Sequence, residues 1–210
     1  MKKKEMKDMI LQGLADILSQ TDFQLKKSED AFFRKIPGGK QMLGLPLWDY
    51  NPQFEFSLNI CIRLDAAEEI FHEVSGTPPK YRSMSFTTNT PFGRFTKGPT
   101  NFKVITAEEV AAAARLLSPV IRERIIPFFD EYKHVKELDR GVNCQEPGID
   151  STHFPWRAMH SIILAHLAGN KDFDDLVAKH RSTMQLSPET DQPFNKMVEY
   201  LKIHSERLKQ

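Results

Sequence analysis

The sequence predicts an α+β fold: an antiparallel, meander-like sheet with one helix before it and a mainly helical C-terminal half. Two features carry that expectation. Between Phe54 and Leu64, apolar Phe54, Phe56, Leu58, Ile60, Ile62 and Leu64 alternate with Glu55, Ser57, Asn59 and Arg63, and only Cys61 breaks the polar row. Successive strand side chains point to opposite faces, so the stretch predicts one long strand with one dry face. From Thr106 onward, cap signals and helical spacing replace that alternation. A strand with a dry face needs partner strands and a covering layer.

The elements follow in order. Met9, Ile10, Leu11, Leu14, Ile17 and Leu18 sit at amphipathic spacing and predict a helix over 4–19, ending near Thr21 and Asp22. Segments 23–27 and 31–36, parted by Ser28, Glu29 and Asp30, predict a hairpin. Pro37, Gly38 and Gly39 turn the chain into a third strand over 41–47, and Asn51-Pro52 leads into the long fourth strand. Short turns between successive strands favour antiparallel pairing. A short helix from Asp65 follows, then a Thr/Pro/Gly-rich stretch over 76–102 with a strand expected at 83–88, and a last strand at 101–105.

Thr106 with Glu109 three residues on has capping-box spacing ahead of an Ala-rich run. Pro119 is expected to divide that helix from a second one carrying Ile121, Ile125, Ile126, Phe128 and Phe129. Helices at 156–167, capped by Gly169-Asn170, at 172–180 and at 193–208 complete the chain. The expected organisation is a sheet-and-helix region over 1–142, a linker over 143–155 and a helical region over 156–210 packed on the same domain.

Composition narrows the function classes. At 210 residues the chain can bury roughly 70% of its unfolded surface, enough for a core without staples. Lys and Arg total 29 against 28 Asp and Glu, so no global field recommends a polyanion. Cys61 and Cys144 alone read as reduced thiols. The charged start and the interrupted apolar run behind it suit a helix rather than a signal peptide, and no run reaches the ~20 apolar residues of a membrane span. The expectation is a soluble, cytoplasmic protein with no membrane contact.

Residue spacing offers few chemical sites. Glu69-x-x-His72 and Glu131-x-x-His134 would each set a carboxylate and an imidazole on one helix face, as in dimetal bundles. Such bundles need four long helices, so both pairs read as solvated helix faces and no metal or other cofactor is expected. Cys144, Asp150 and His153 are near in sequence but match no nucleophile motif. His160 and His166 are six apart on one apolar helix and cannot both face one ligand, which predicts one buried and one exposed. Pro37-Gly38-Gly39-Lys40 lacks the frame of a phosphate loop. The row Glu55, Ser57, Asn59, Cys61 and Arg63 becomes a pocket candidate only if helices cover both faces of its strand.

One charge pattern stands out. No acidic residue lies between Glu73 and Glu108, while Lys80, Arg82, Arg94, Lys97 and Lys103 interleave with Tyr81, Phe86, Phe92, Phe95 and Phe102. Phe86 and Phe102 fit the core and the cations fit a wet strand face. The same segment is the best candidate for a binding surface, through Lys80, Tyr81, Arg82, Phe92, Arg94, Phe95 and Lys97.

Asp22-Phe23, Leu25-Lys26-Lys27, Phe32-Phe33-Arg34, then Ile126-Pro127-Phe128-Phe129 and the run from Ile162 to Asn170 into Asp172-Phe173 resemble a bacterial family known only as a domain of unknown function. The resemblance covers residues 9–141 with an echo to 180, and Asp22 stands where the family has glycine. It implies no activity and no catalytic residue. Relatives that accompany toxins as immunity or accessory proteins make it a hint toward protein binding. The sequence therefore points first to a non-catalytic protein-interaction module with a protein partner. A nucleic-acid binder using residues 80–103 is the second reading. An enzyme with a site assembled from distant groups such as Cys144, His153 or Glu131 is the third.

Overall fold

A computed structural model describes residues 2–144, 149, 156–183 and 188–207. The fold is α+β, and the chain divides into two units. The first comprises Met1–Ile62 and Thr90–Glu131, the second Arg63–Asn89 and Tyr132–Gln210. Among the described residues no helix is long and apolar enough to cross a membrane.

In the first unit, helix α1 (Lys3–Leu18) buries Met6, Ile10, Leu11, Leu14, Ile17 and Leu18, the stripe its spacing predicts, and packs on α4 (Ala107–Val120). Strands β1 (Gln24–Lys26), β2 (Ala31–Ile36) and β3 (Gly39–Gly44) form the expected antiparallel meander. Gly38 takes φ +68° in the β2–β3 turn, a left-handed conformation that glycine adopts without a Cβ penalty. β6 (Asn59–Leu64) and β7 (Thr88–Pro91) complete a sheet of order β1-β2-β3-β6-β7.

The long strand expected over 54–64 is two strands. β5 (Phe54–Phe56) lies in a second sheet, between β4 (Leu47–Asp49) and β8 (Phe102–Val104), and β6 lies in the first. The chain changes sheets at Ser57, whose N–H donates to Pro46 O at 3.2 Å and whose hydroxyl donates to Thr100 O at 2.8 Å. Alternation survives the break: Phe54, Phe56, Leu58, Ile60, Ile62 and Leu64 are all buried, while Glu55, Ser57, Asn59 and Arg63 are half-buried. Cys61 is buried too, and that burial pushes its thiol up to about 12, which leaves it inert.

Two further expectations change. No strand runs over 83–88; β7 starts at Thr88, and the preceding chain forms a short helix, α3 (Pro79–Arg82), with proline at its first position. Nor does Pro119 divide its helix. It sits inside α4, which continues through a π-type turn (Ile121–Ile125) into α5 (Ile126–Glu131). Proline removes one helix donor and crowds the carbonyl four residues back. Here the ladder widens within two residues, and the helix carries on. Ile121, Ile125 and Phe129 are fully buried below it. Arg34 is held there as well, 5.0 Å from the Phe23 ring centroid and 5.9 Å from that of Phe129, donating to Gln41 Oε1 at 2.7 Å and paired with Asp130 at 2.9 Å.

The second unit is built around α7 (Trp156–Ala168), whose residues 158–165 are all buried. It packs on α2 (Asp65–Ser75), α6 (Val135–Asp139), α8 (Phe173–Thr183) and α9 (Pro188–Arg207). Gly169 ends α7 at φ +66°, the predicted cap. Within the expected linker, Asn143 and Cys144 belong to a π-type turn (Arg140–Cys144), and Ile149 is buried with its N–H donating to Gly141 O at 2.8 Å. The rest of that linker lies outside the described residues.

The α4 cap has its full reciprocal geometry: Glu109 N–H donates to Thr106 Oγ1 at 3.3 Å, and Thr106 N–H donates to Glu109 Oε2 at 3.1 Å. Thr106→Ala is expected to lower unfolding stability by about 1 kcal/mol. Urea denaturation of the two proteins checks this, and an unchanged midpoint would show that the cap is dispensable.

Candidate functional site

The most polar interior of the second unit gathers around Glu68. At position four of an amphipathic helix, this residue falls on the buried face of α2 with Ala67, Phe71 and His72. A carboxylate with no exposed surface requires donors. His160 on α7 gives its Nε2–H to Glu68 Oε1 at 3.0 Å, and Thr87 gives its hydroxyl to the same oxygen at 2.9 Å. Thr87 in turn accepts Leu64 N–H at 3.0 Å. The other ring nitrogen of His160 faces Trp156 O at 3.1 Å. Both nitrogens thus face oxygen acceptors. Phe71 stacks on the ring at 4.4 Å and fixes its plane. Burial pushes the Glu68 carboxyl up, but the hydrogen bond and charge of His160, with the hydroxyls of Ser85 and Thr87, outweigh it and hold the group down at about 2.

His72 lies one turn further along α2, with Nε2 3.8 Å from Glu68 Oε2. The same nitrogen is 2.9 Å from Ser85 Oγ and 3.2 Å from Arg82 O. A serine beside a histidine beside a glutamate invites comparison with a nucleophilic triad, but the geometry is different. A triad uses one ring nitrogen for the serine and the other for the acid, whereas here both approach Nε2. Nδ1 is buried with no hydrogen-bond partner. An unprotonated ring nitrogen is cheaper to strand than an N–H, so Nε2 carries the proton and cannot receive one from Ser85. Ser85 Oγ also accepts from Arg63 Nη1 at 2.9 Å and donates to Arg82 O at 3.0 Å. The cluster holds backbone in place; it does not activate a hydroxyl.

What it holds is the end of α3. Arg82 O receives Arg63 Nη1 at 2.7 Å together with His72 and Ser85, and Arg82 Nε donates to Thr77 O at 2.9 Å. A cavity of about 500 Å³ opens there, lined by Arg63, Glu69, His72, Glu73 and Arg82. Tyr81 is 52% and Met84 71% exposed above this fixed backbone, with Lys80 Nζ 4.8 Å from the Tyr81 ring.

The sequence-predicted binding residues do not gather in one place. Lys80, Tyr81 and Arg82 are exposed in the second unit, and Arg94 and Lys97 are exposed in the first. Phe92 and Phe95 are buried, Phe92 against Phe102 at 5.9 Å and Phe95 edge-on to Phe128 at 5.0 Å, so neither offers a face to a ligand. Their cations alternate with core aromatics because the segment is part loop, part sheet. Glu69 points to water, and His72 pairs instead with Glu68 at the i, i+4 position. Glu131 ends α5 and His134 precedes α6, so they share no helix face. Among the described residues no group of three or more His, Cys, Asp or Glu is placed to hold a metal ion. Cys144 is exposed, and Asp150 and His153 lie outside the described residues. His160 is buried as one of its pair, while His166 is half-buried with its ring 6.2 Å from that of Phe173.

Glu68, Thr87 and Ser85 were not singled out by spacing, and His160 entered only through its spacing from His166, with no partner named for it. The available signal was a histidine and a serine inside the apolar run 158–165, which a core must partner. Ser161 is the second case: it donates to Asn143 Oδ1, lies 2.7 Å from His180 Nε2, and is shut away from any ligand. No family model, curated protein or solved structure matches the chain.

The pKa shifts set a pH dependence. Burial lowers His72, with the Glu68 charge opposing, and burial lowers His180 with Lys179 and Arg157 adding to it. Both rings are neutral in the fold and take a proton on unfolding, so stability falls as pH drops below about 6.5. Glu68 is lowered from 4.5 to about 2, so its contribution is complete above 4.5 and is lost as pH falls toward 2. Glu68→Gln is expected to cost about 3 kcal/mol at pH 7, since it strands His160, and to flatten the decline below pH 4.5. Urea midpoints across pH 3–8 (roughly the range where these groups titrate) check both; an equally steep acid limb in the variant would refute the assignment.

Proposed function

We propose that the chain is a non-catalytic protein-interaction module and that Tyr81 and Met84, presented at the end of α3, form its contact surface. The observation that carries this is the contrast between backbone and side chains there. Three donors converge on Arg82 O, while the apolar side chains on either side stand in water. A partner that covers them gains apolar burial without first ordering the loop, the cost that weakens flexible surfaces. Lys80 and Arg82 add positive charge at the rim. This reading places the protein in the cytoplasm of a bacterium, in an immunity or accessory role, as the family resemblance suggests.

Nucleic acid is less well supported, because stacking needs exposed rings in series and Tyr81 is the one exposed ring of the five in residues 80–103. The enzymatic reading has no activated nucleophile among the described residues of the Glu68 cluster.

Tyr81→Ala with Met84→Ala removes the surface and, because both are exposed, should shift stability by less than about 0.5 kcal/mol. Affinity capture from the source cell's extract, with and without nuclease, is expected to retain a stoichiometric protein on the native chain and lose it on the double variant. Capture indifferent to the variant, loss of the bound material with nuclease, or empty beads would each overturn the proposal.

A further inference from the structure

His72 is placed so that a second proton has nowhere to go. Its side chain is 3% exposed, and Nδ1 is buried with no hydrogen-bond partner. Nε2–H is engaged with Arg82 O at 3.2 Å and Ser85 Oγ at 2.9 Å. An added proton must therefore sit on Nδ1, where it meets no acceptor. The charges that face the ring are mixed. Glu68 on α2 lies 3.8 Å away, but on the Nε2 side, and His160 on α7 faces the same carboxylate. Arg63 of β6 donates to the carbonyl that His72 holds, and Arg63, Arg82, Glu69 and Glu73 line one cavity with the ring. Burial keeps the ring below its usual 6.5 against the pull of Glu68 and the Arg82 carbonyl, and the Arg63 and Arg82 charges add to the lowering.

The stretch that His72 holds is fastened by polar contacts. α3 buries none of its side chains, and every residue from 78 to 84 is exposed. Arg63 donates to Arg82 O at 2.7 Å and to Ser85 O at 3.0 Å, and Arg82 Nε donates to Thr77 O at 2.9 Å. An element without an apolar anchor opens locally, at less cost than the core. The cavity of about 500 Å³ gives the ring a place to go. There a charged imidazole meets water and two carboxylates, Glu69 and Glu73, the second already accepting from Tyr200 at 2.8 Å.

We infer that His72 is a latch that acid opens: the neutral ring holds the Arg82 carbonyl, and a proton on Nδ1 drives the ring out and frees the stretch carrying Tyr81 and Met84. Linkage sets the size of the effect. The freed ring titrates near 6.5 and the held ring below it. Each pH unit under about 6.5 thus favours the open form by up to roughly tenfold, until the held ring also takes the proton. That the freed surface is a partner contact rests on the function proposed above; the latch itself does not.

Amide hydrogen exchange on the full chain tests this at pH 7.5 and 5.5 (about one unit either side of the ordinary histidine value), each rate referred to that of an unstructured peptide at the same pH. Tyr81 and Met84 report on α3, because their N–H groups donate to Pro78 O at 3.0 Å and Tyr81 O at 3.1 Å. Their protection is expected to fall about threefold or more between the two pH values, and to stay well below that of the α7 interior. His72→Gln keeps a side-chain donor without titrating and should abolish the fall. His180→Gln, which removes a second burial-lowered ring from the same unit, should leave it. Protection indifferent to pH, a fall matched by the α7 interior, or a fall that persists in His72→Gln would each overturn the inference. Should His72→Gln not fold, the native comparison with α7 decides. No partner enters the measurement, so the latch can fail while Tyr81 and Met84 still capture a protein, and the reverse.

Discussion

A carboxylate sealed from water sets the terms for the second unit. Glu68 cannot remain ionised in the core unless donors reach it, and those donors come from α7 through His160 and from the chain before β7 through Thr87. Three stretches far apart in sequence therefore meet at one carboxylate oxygen, Oε1, while the buried Oε2 has no hydrogen-bond partner among the described residues and only His72 Nε2 at 3.8 Å beside it. Buried ion pairs add little net stability over a well-packed apolar substitute, but a partner removed from one is costly. Their effect is to penalise every alternative packing of α2 on α7. The consequence extends outward. Because Glu68 and His160 fix α2, His72 on the next turn is fixed, and with Arg63 and Ser85 it holds the Arg82 carbonyl. The exposed Tyr81 thus inherits its position from a buried glutamate.

Much of the fold was legible because it obeys local rules. The stripe of α1, the hairpin at Gly38 and the Thr106–Glu109 cap are each set by a few adjacent residues. The alternation over 54–64 correctly gave which side chains are buried, yet not that two sheets share the stretch. Periodicity reports burial, and the break at Ser57 is made by Pro46 and Thr100, which lie outside that stretch. Pro119 was misread because its propensity cost is outweighed by the burial of Leu117 and Ile121 on either side.

The buried polar cluster was the least legible part. Glu68 and Glu69 are equivalent by composition, and both stand near His72; only the face that α2 presents to the core separates them. His160 is 92 positions away from its partner, a pairing that no local spacing encodes. What the sequence did hold was an imbalance: polar residues at His160 and Ser161 inside an apolar helix, and an acid among the apolar positions of α2. Such residues have to find partners in the interior, and their number in one unit is a sign that they find one another.

At the end of α3 the backbone is saturated with hydrogen bonds, while Tyr81 and Met84 stand exposed beside it. The one serine–histidine contact in the Glu68 cluster joins Ser85 to the ring nitrogen that carries the proton, so the hydroxyl is held in place and not activated. The polar interior around Glu68 is in this way spent on fixing a stretch of backbone that local sequence rules leave undetermined.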